Sequence, residues 1–330
     1  MQSYYNFTGV FMYRILLFMI TAFLITGCTS DKKLASKVQS DILVIENGTR
    51  KLNFEKLPQR LVTLRQHITE TALEMNLDKY IIGASAVIDP PVAEHLEHRY
   101  GRLPIIAEKY PSPETLLAAD PDIIWVDRKW AFVKNQLGAM ENLERYGIKI
   151  YLSESGFHES SRIEYVYEDI RKMGEIFSAG DRADIVIKRM QEKILTVQSH
   201  VKNTETKVKV LDFDSGRNNL AFVGCKCMAD DLIKLAGGIN IFQDVDKEWA
   251  NVSWEEIMRR NPDVIIVHEY RGVSGRSKIA ALKKNPVLQE VTAIKNNRFI
   301  IVNLDEIYEG VRNAETVEKF AKGFYPEKFI

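Results

Sequence analysis

Neither sign of charge dominates this chain: 45 lysines and arginines balance 45 aspartates and glutamates over 330 residues. With no basic stripe either, the sequence lacks the electrostatic footprint of a nucleic-acid binder. Cysteine is scarce, at three residues. Two of them, Cys225 and Cys227, are separated by one residue, and a disulfide between them would be strained. No second cysteine pair exists to complete a structural zinc site. The N-terminal apolar run, Ile15 to Ile25, is too short to span a bilayer comfortably. No recognisable motif sets a general base beside Cys225, which argues against an enzyme using that thiol as nucleophile. The remainder is ordinary for a globular protein, 45% hydrophobic and 27% charged, at a length that suits two domains.

What is present is a repeat. Ser112-Pro113-Glu114 opens a segment that closes on Asp120-Pro121-Asp122-Ile123-Ile124-Trp125-Val126, and Ser253-Trp254-Glu255 opens one that closes on Asn261-Pro262-Asp263-Val264-Ile265-Ile266-Val267. Serine caps a helix by accepting a first-turn N–H, and the following glutamate sits where the helix dipole favours an anion. Proline stops the helix two turns later. The aspartate then leads into a short apolar run, the mark of a strand buried on both faces. Two helix–turn–buried-strand units imply two related α/β lobes.

The N-terminus has the form of an export signal, with Arg14 before the apolar run. It ends in Leu24-Ile25-Thr26-Gly27-Cys28, which resembles a bacterial lipobox with Cys28 as the lipidated residue. Met12 offers a second start, and the sequence leaves both starts open. Residues 29–40, polar and lysine-rich, suit a flexible tether. Residues 41–160 are expected to form an N-terminal lobe and 204–330 a C-terminal lobe, with a helical connection over 161–203.

Within the first lobe, Asn47-Gly48 predicts a tight hairpin turn between Ile42–Ile45 and Arg50–Phe54. Leu61–Leu64, Ile81–Ala84 and Ile148–Leu152 are predicted as strands, and Thr69–Met75, the stretch that follows an Asp89-Pro90-Pro91 loop to Tyr100, and Ala131–Tyr146 as helices. A helix over 163–177 is followed by a long one over 181–201, capped by Asp181 and apolar along one face. The second lobe repeats the plan: a strand at 207–213, a helix at 228–235 closed by Gly237-Gly238, an extended piece at 239–242, helices at 278–284 and 314–322, and a strand at 299–302. Strands alternating with helices predict mostly parallel sheets.

Pro58-Gln59-Arg60-Leu61-Val62-Thr63-Leu64, Thr69-Glu70, Ile82-Gly83, the two Glu-x6-Pro-Asp units, Asp231 to Asn240 and Ala293-Ile294-Lys295 occur in this order after the lipobox. Together they resemble the iron-siderophore/cobalamin class of bacterial substrate-binding proteins, over residues 55 to 325. The resemblance implies two Rossmann-like lobes joined by a long helix, the class III periplasmic-binding-protein fold, with little closure on binding. It implies a monomeric, lipid-anchored, extracytoplasmic protein without cofactor or catalytic residues, which delivers its ligand to an ABC importer. Glu114 and Glu255 match the glutamates that dock into arginine pockets of the permease dimer. It also sets Cys225 and Cys227 beside the cleft, where they would either touch ligand or be small buried core residues.

Open α/β sheets bind ligands outside the carboxyl ends of their strands. Those ends carry Arg65, Gln66, His67, Arg128 and Trp130 in the first lobe, and Asp214, Arg217, Asn218, His268, Tyr270 and Arg271 in the second. Arginine beside aromatics suits anionic oxygens on an apolar body, such as a ferric siderophore, with a corrinoid or haem as alternatives. A bare metal ion held by His67 and His268 is a further alternative.

Overall fold

The computed structural model describes residues 42–85, 91–217 and 219–329. The leader, Cys28, the tether, both candidate starts and Asn218 lie outside the described residues. The first lobe comprises β1 (Leu43–Asn47), β2 (Arg50–Phe54), β3 (Leu61–Leu64), α1 (Gln66–Glu74), β4 (Ile81–Ser85), α2 (Glu97–Tyr100), β5 (Ile105–Ala107), α3 (Pro113–Ala119), β6 (Ile123–Val126), α4 (Met140–Arg145) and β7 (Lys149–Leu152). Its main sheet is fully parallel, in the order β5-β4-β3-β6-β7, beside the β1–β2 hairpin. Two helices follow, α5 (Ile163–Ile176) and α6 (Gly180–Val201).

The second lobe comprises β8 (Lys209–Arg217), β9 (Leu220–Gly224), α7 (Met228–Leu235), β10 (Ile239–Asn240), β11 (Trp249–Ser253), α8 (Trp254–Arg260), β12 (Val264–Glu269), α9 (Gly275–Lys284), α10 (Thr292–Lys295), β13 (Phe299–Asn303), α11 (Leu304–Ile307) and α12 (Asn313–Phe324). Its sheet runs β11-β9-β8-β12-β13, with β10 also on β8. The pairs β8–β12, β12–β13 and β8–β10 are parallel, and β8–β9 and β9–β11 antiparallel.

Both copies of the repeat build the same geometry. Ser112 Oγ accepts from Thr115 N and Ser253 Oγ from Glu256 N, each at 3.2 Å. Asp120 and Asn261 end α3 and α8 in the left-handed region, at φ 50° and 47°. The aspartate after each proline ties down the neighbouring strand. Asp122 accepts from Gln59 N and Arg60 N just ahead of β3, and Asp263 accepts from Lys209 N at the start of β8.

Three expectations are corrected, and two strands lie outside them. Residues 131–146 form no continuous helix, because Gly138 turns the chain at φ 71° and only α4 remains α-helical. The helix expected after Pro91 is a 3-10 turn over Glu94–Leu96 and α-helical only over Glu97–Tyr100. The long helix begins at Gly180, so Asp181 lies in its first turn and caps nothing. Strands β9 and β11 were not expected: β9 is an apolar run, Leu220-Ala221-Phe222-Val223, that was passed over, and β11 is an edge strand without a fully buried residue.

α6, 22 residues long, spans about 33 Å at 1.5 Å per residue. Its buried stripe, which includes Ala183, Val186, Ile187, Met190 and Ile194, belongs to an apolar cluster that runs through both lobes. That cluster includes Trp125 and Tyr151 of the first lobe and Val264, Val317 and Phe320 of the second. Every residue of α1 is buried, Glu70 and Glu74 included. Glu74 answers to Arg189 of α6 at 2.9 Å, and Glu70 stands 3.7 Å from Arg312 of the second lobe. The lobes therefore share apolar packing and buried ion pairs.

Candidate functional site

Residues at the carboxyl ends of β3 and β6 meet the loop after α11. Arg65 leaves β3 at φ 122°, a conformation that side chains other than glycine rarely adopt. The turn is held by Arg65 N donating to the Ser85 carbonyl at 3.0 Å and by Thr69 N and Oγ1 donating to the Arg65 carbonyl. Strain of this kind costs on the order of 1–3 kcal/mol and gathers at ligand sites. Here it aims a buried guanidinium between the lobes. Arg65 Nε lies 3.2 Å from Asp127 Oδ2, and its guanidinium carbon stands 4.6 Å from the Tyr308 ring centroid. Trp130 and Tyr110 lie at 5.9 and 6.0 Å, packed edge to face with each other. Burial opposes the charge on Arg65, but Asp127, Tyr308, Tyr110 and Asp305 together outweigh it and the group stays cationic. The Tyr110 hydroxyl donates to Asp127, and burial beside that carboxylate pushes its pKa far up.

Arg128 is engaged from the other lobe. Its guanidinium lies 2.9 Å from Glu248 and 2.5 Å from Glu309. Ser161 donates to the same Glu309 oxygen. Burial resists ionisation of Glu309, yet Arg128 and the Ser161 hydroxyl hold its pKa below the usual carboxylate range. Glu248 is pushed up by burial and by Glu309, against the pull of Arg128. His67 Nδ1 stands 3.6 Å from Asp305 Oδ1, and its ring lies 5.2 Å from Tyr308. Three carboxylates, Asp127, Glu248 and Glu309, thus pair with the two arginines, and a fourth, Asp305, faces His67. Carboxylates outnumber arginines beneath the aromatic rim, and Arg128 is not an unpaired receptor for anionic oxygens.

In the second lobe the strand ends hold a buried polar cluster. His268 Nε2 donates to Asp212 at 2.5 Å, and its Nδ1 is 3.5 Å from Asp214. Burial would neutralise this ring, but the two carboxylates lift its pKa to about 9. Tyr270 donates its hydroxyl to Asp214 at 2.8 Å. His268 is completely buried with both nitrogens facing those carboxylates, so it does not share a metal with His67. Among the described residues, no group of three His, Cys, Asp or Glu side chains is arranged to hold a metal ion.

Cys225 and Cys227 are both buried, unpaired thiols. Cys225 joins the apolar core of the second lobe, while Cys227 Sγ lies 3.6 Å from Asp212. Burial and the Asp212 charge push the Cys225 pKa up to about 11 and raise that of Cys227 as well. Both thiols are buried, as the core alternative requires. Arg217 ends β8 opposite Leu220, and Arg271 is exposed at φ 52°. Glu114 and Glu255 are exposed in the first turns of α3 and α8.

Sequence reasoning named Arg65, His67, Arg128 and Trp130 but missed their partners. Asp127 directly follows β6, so the strand-end rule could have included it. Tyr110, Glu248, Tyr308 and Glu309 lie in loops with no periodicity to mark them.

Residues 61–305 match the family model described as periplasmic binding protein. An uncharacterized ABC transporter substrate-binding lipoprotein of Bacillus subtilis, YvrC, is 22% identical over 320 residues, covering 94% of this chain and 96% of that protein. A vitamin B12-binding protein of Yersinia pestis is 26% identical over 210 residues, 63% of this chain and 69% of its own. A solved periplasmic binding protein from Veillonella parvula superposes with a TM-score of 0.79 at 26% identity, covering 86% of this chain and 98% of its own.

Proposed function

The chain belongs to the periplasmic binding protein family, and on that premise we propose that it is the extracytoplasmic, lipid-anchored binding subunit of an ABC importer, carrying a neutral or cationic iron chelate. The observation behind this reading is the charge and shape of the interlobe site. Four carboxylates stand against two arginines and His67, beneath aromatic rings contributed by both lobes. Like-charge contact with a polyanionic chelate would cost binding energy, whereas a neutral ferric trihydroxamate offers an apolar body to the rings and a metal centre without negative excess. Arg65 would set its guanidinium against the chelate oxygens, stiffened by Asp127 and Tyr308. The chain's task is then capture and release, with no covalent step. Glu114 and Glu255, one on each lobe, would meet the permease dimer, and Cys28 would carry the anchor.

A corrinoid is the second reading. It is favoured by the flat faces of Trp130 and Tyr308 on opposite lobes and by the vitamin B12-binding relative.

Quenching of tryptophan fluorescence tests both. A neutral ferric tris-hydroxamate is expected to bind at least tenfold more tightly than a ferric tris-catecholate carrying three negative charges. Tighter binding of the tris-catecholate would overturn the charge argument. Binding of cyanocobalamin without either iron complex would move the assignment to the corrinoid.

A further inference from the structure

A second compartment adjoins the site, on the second lobe alone. It is a cavity of about 490 Å³ at the carboxyl ends of β8 and β12, walled by Phe213, Trp254, Val273 and Leu282, with Tyr270 and Lys278 on its polar side. Its aromatic wall is built deliberately close. A Cβ on Gly216 would stand 2.8 Å from Trp254 Cζ2, so glycine is what lets the indole lie against β8.

Five polar residues reach the cavity: Ser215, Tyr270, Arg271, Lys278 and Asn285. Two of them are engaged: the Tyr270 hydroxyl donates to Asp214, and Lys278 Nζ donates to the Asp214 carbonyl at 2.6 Å while resting 4.3 Å from the Tyr270 ring centroid. The wall formed by Phe213, Trp254, Val273, Ala281 and Leu282 is hydrocarbon. A pocket of this size and lining suits an apolar group. Tyr270 directly follows β12, and Tyr308 follows its parallel neighbour β13 through α11, so the cavity and the ring over Arg65 share the carboxyl edge of one sheet.

We infer that this cavity is a specificity pocket that receives an apolar arm, an aliphatic chain or ring pendant on the chelate whose metal centre lies between the lobes. The inference rests on the proposed function and narrows it: the cargo is a chelate with a hydrocarbon substituent. A compact chelate would leave the pocket empty and bind more weakly. The pocket confers discrimination between cargoes that share a metal centre.

The test compares ferric tris-acetohydroxamate with ferric tris-hexanohydroxamate on the full-length protein, by fluorescence titration. Each methylene moved from water into the cavity is worth roughly a fourfold change in affinity. The hexanoyl complex is therefore expected to bind at least about tenfold more tightly than the acetyl one. Ala281→Phe, a bulky group on the exposed rim of the cavity on α9, should abolish that advantage and leave the acetyl complex unchanged. Val273→Phe fills the same space from the opposite wall and serves if the first variant misfolds.

Equal binding of the two complexes, or an advantage that survives both plugs, overturns the pocket while leaving the carrier reading intact. A plug that lowers uptake by cells without changing either affinity also overturns it, because the cavity would then face the permease. If neither iron complex binds, the iron reading fails on its own. Methylcobalamin against hexylcobalamin then puts the same question, with the same plugs deciding it.

Discussion

The guanidinium of Arg128 in the first lobe lies 2.5 Å from a carboxylate oxygen of Glu309 in the second. Removing the arginine leaves a buried carboxylate without its counter-charge, which typically costs about 3–5 kcal/mol. Arg128→Met should therefore lower the urea midpoint strongly, and adding Glu309→Gln should recover much of the loss. The Glu309 pKa lies below its unfolded value. Its contribution is thus present above the unfolded carboxylate value and is lost as pH falls through the folded one. Urea titrations of wild type and double variant should converge as the solution is acidified, and a gap unchanged with pH would separate Glu309 from the interlobe tie.

His268 carries the opposite sign. Its folded value, about 9, exceeds the ordinary 6.5, so its contribution is full below 6.5 and disappears as pH rises through 9. A shift of that size corresponds to about 3 kcal/mol as an order of magnitude. The stability gap between wild type and His268→Gln should narrow steadily across that window. A gap that widens with pH would mean the ring is held neutral.

The thiols should be inert. In a Cys28→Ser background, Cys225 and Cys227 remain as the only cysteines, both buried with raised pKa values. The thiolate is the reactive form, so a disulfide reagent at pH 8 should label neither in the native protein and both in urea. Rapid labelling of Cys227 under native conditions would reopen a role for it at the ligand.

Glu114→Ala and Glu255→Ala should leave chelate affinity unchanged, since both side chains are exposed at helix starts. Uptake of labelled chelate by cells should fall for each, and furthest for the pair, because two rigidly linked contacts reinforce one another. Normal uptake by the double variant at matched expression would confine both glutamates to their helix-dipole role.

The repeat was legible in sequence because its chemistry is local. A serine cap, a proline stop and an aspartate all act within a few residues, and Asp122 and Asp263 add matching ties to the next strand. The parallel core strands were legible as apolar runs. The edge strand β11 was not, because it carries no such run, whereas β9 does carry one, Leu220-Ala221-Phe222-Val223, and sequence reasoning passed over it. The site was half legible. Strand ends gave Arg65 and Arg128, but the sign of the site depends on Glu248 and Glu309, which lie 120 and 181 positions from Arg128. No local pattern predicts a pairing at that range, so Arg128, which looked available for an anionic ligand, proved to be paired from across the cleft.

The apolar cluster shared by both lobes through α6 bears on how occupancy of this protein could be detected. Opening or closing the lobes would shear a packed core, which deforms far less readily than a loop hinge. A fluorophore pair mounted one on each lobe should report almost no change of distance when cargo arrives. A useful biosensor would instead be built on local quenching at Trp130, which is half exposed at the rim beside Arg65.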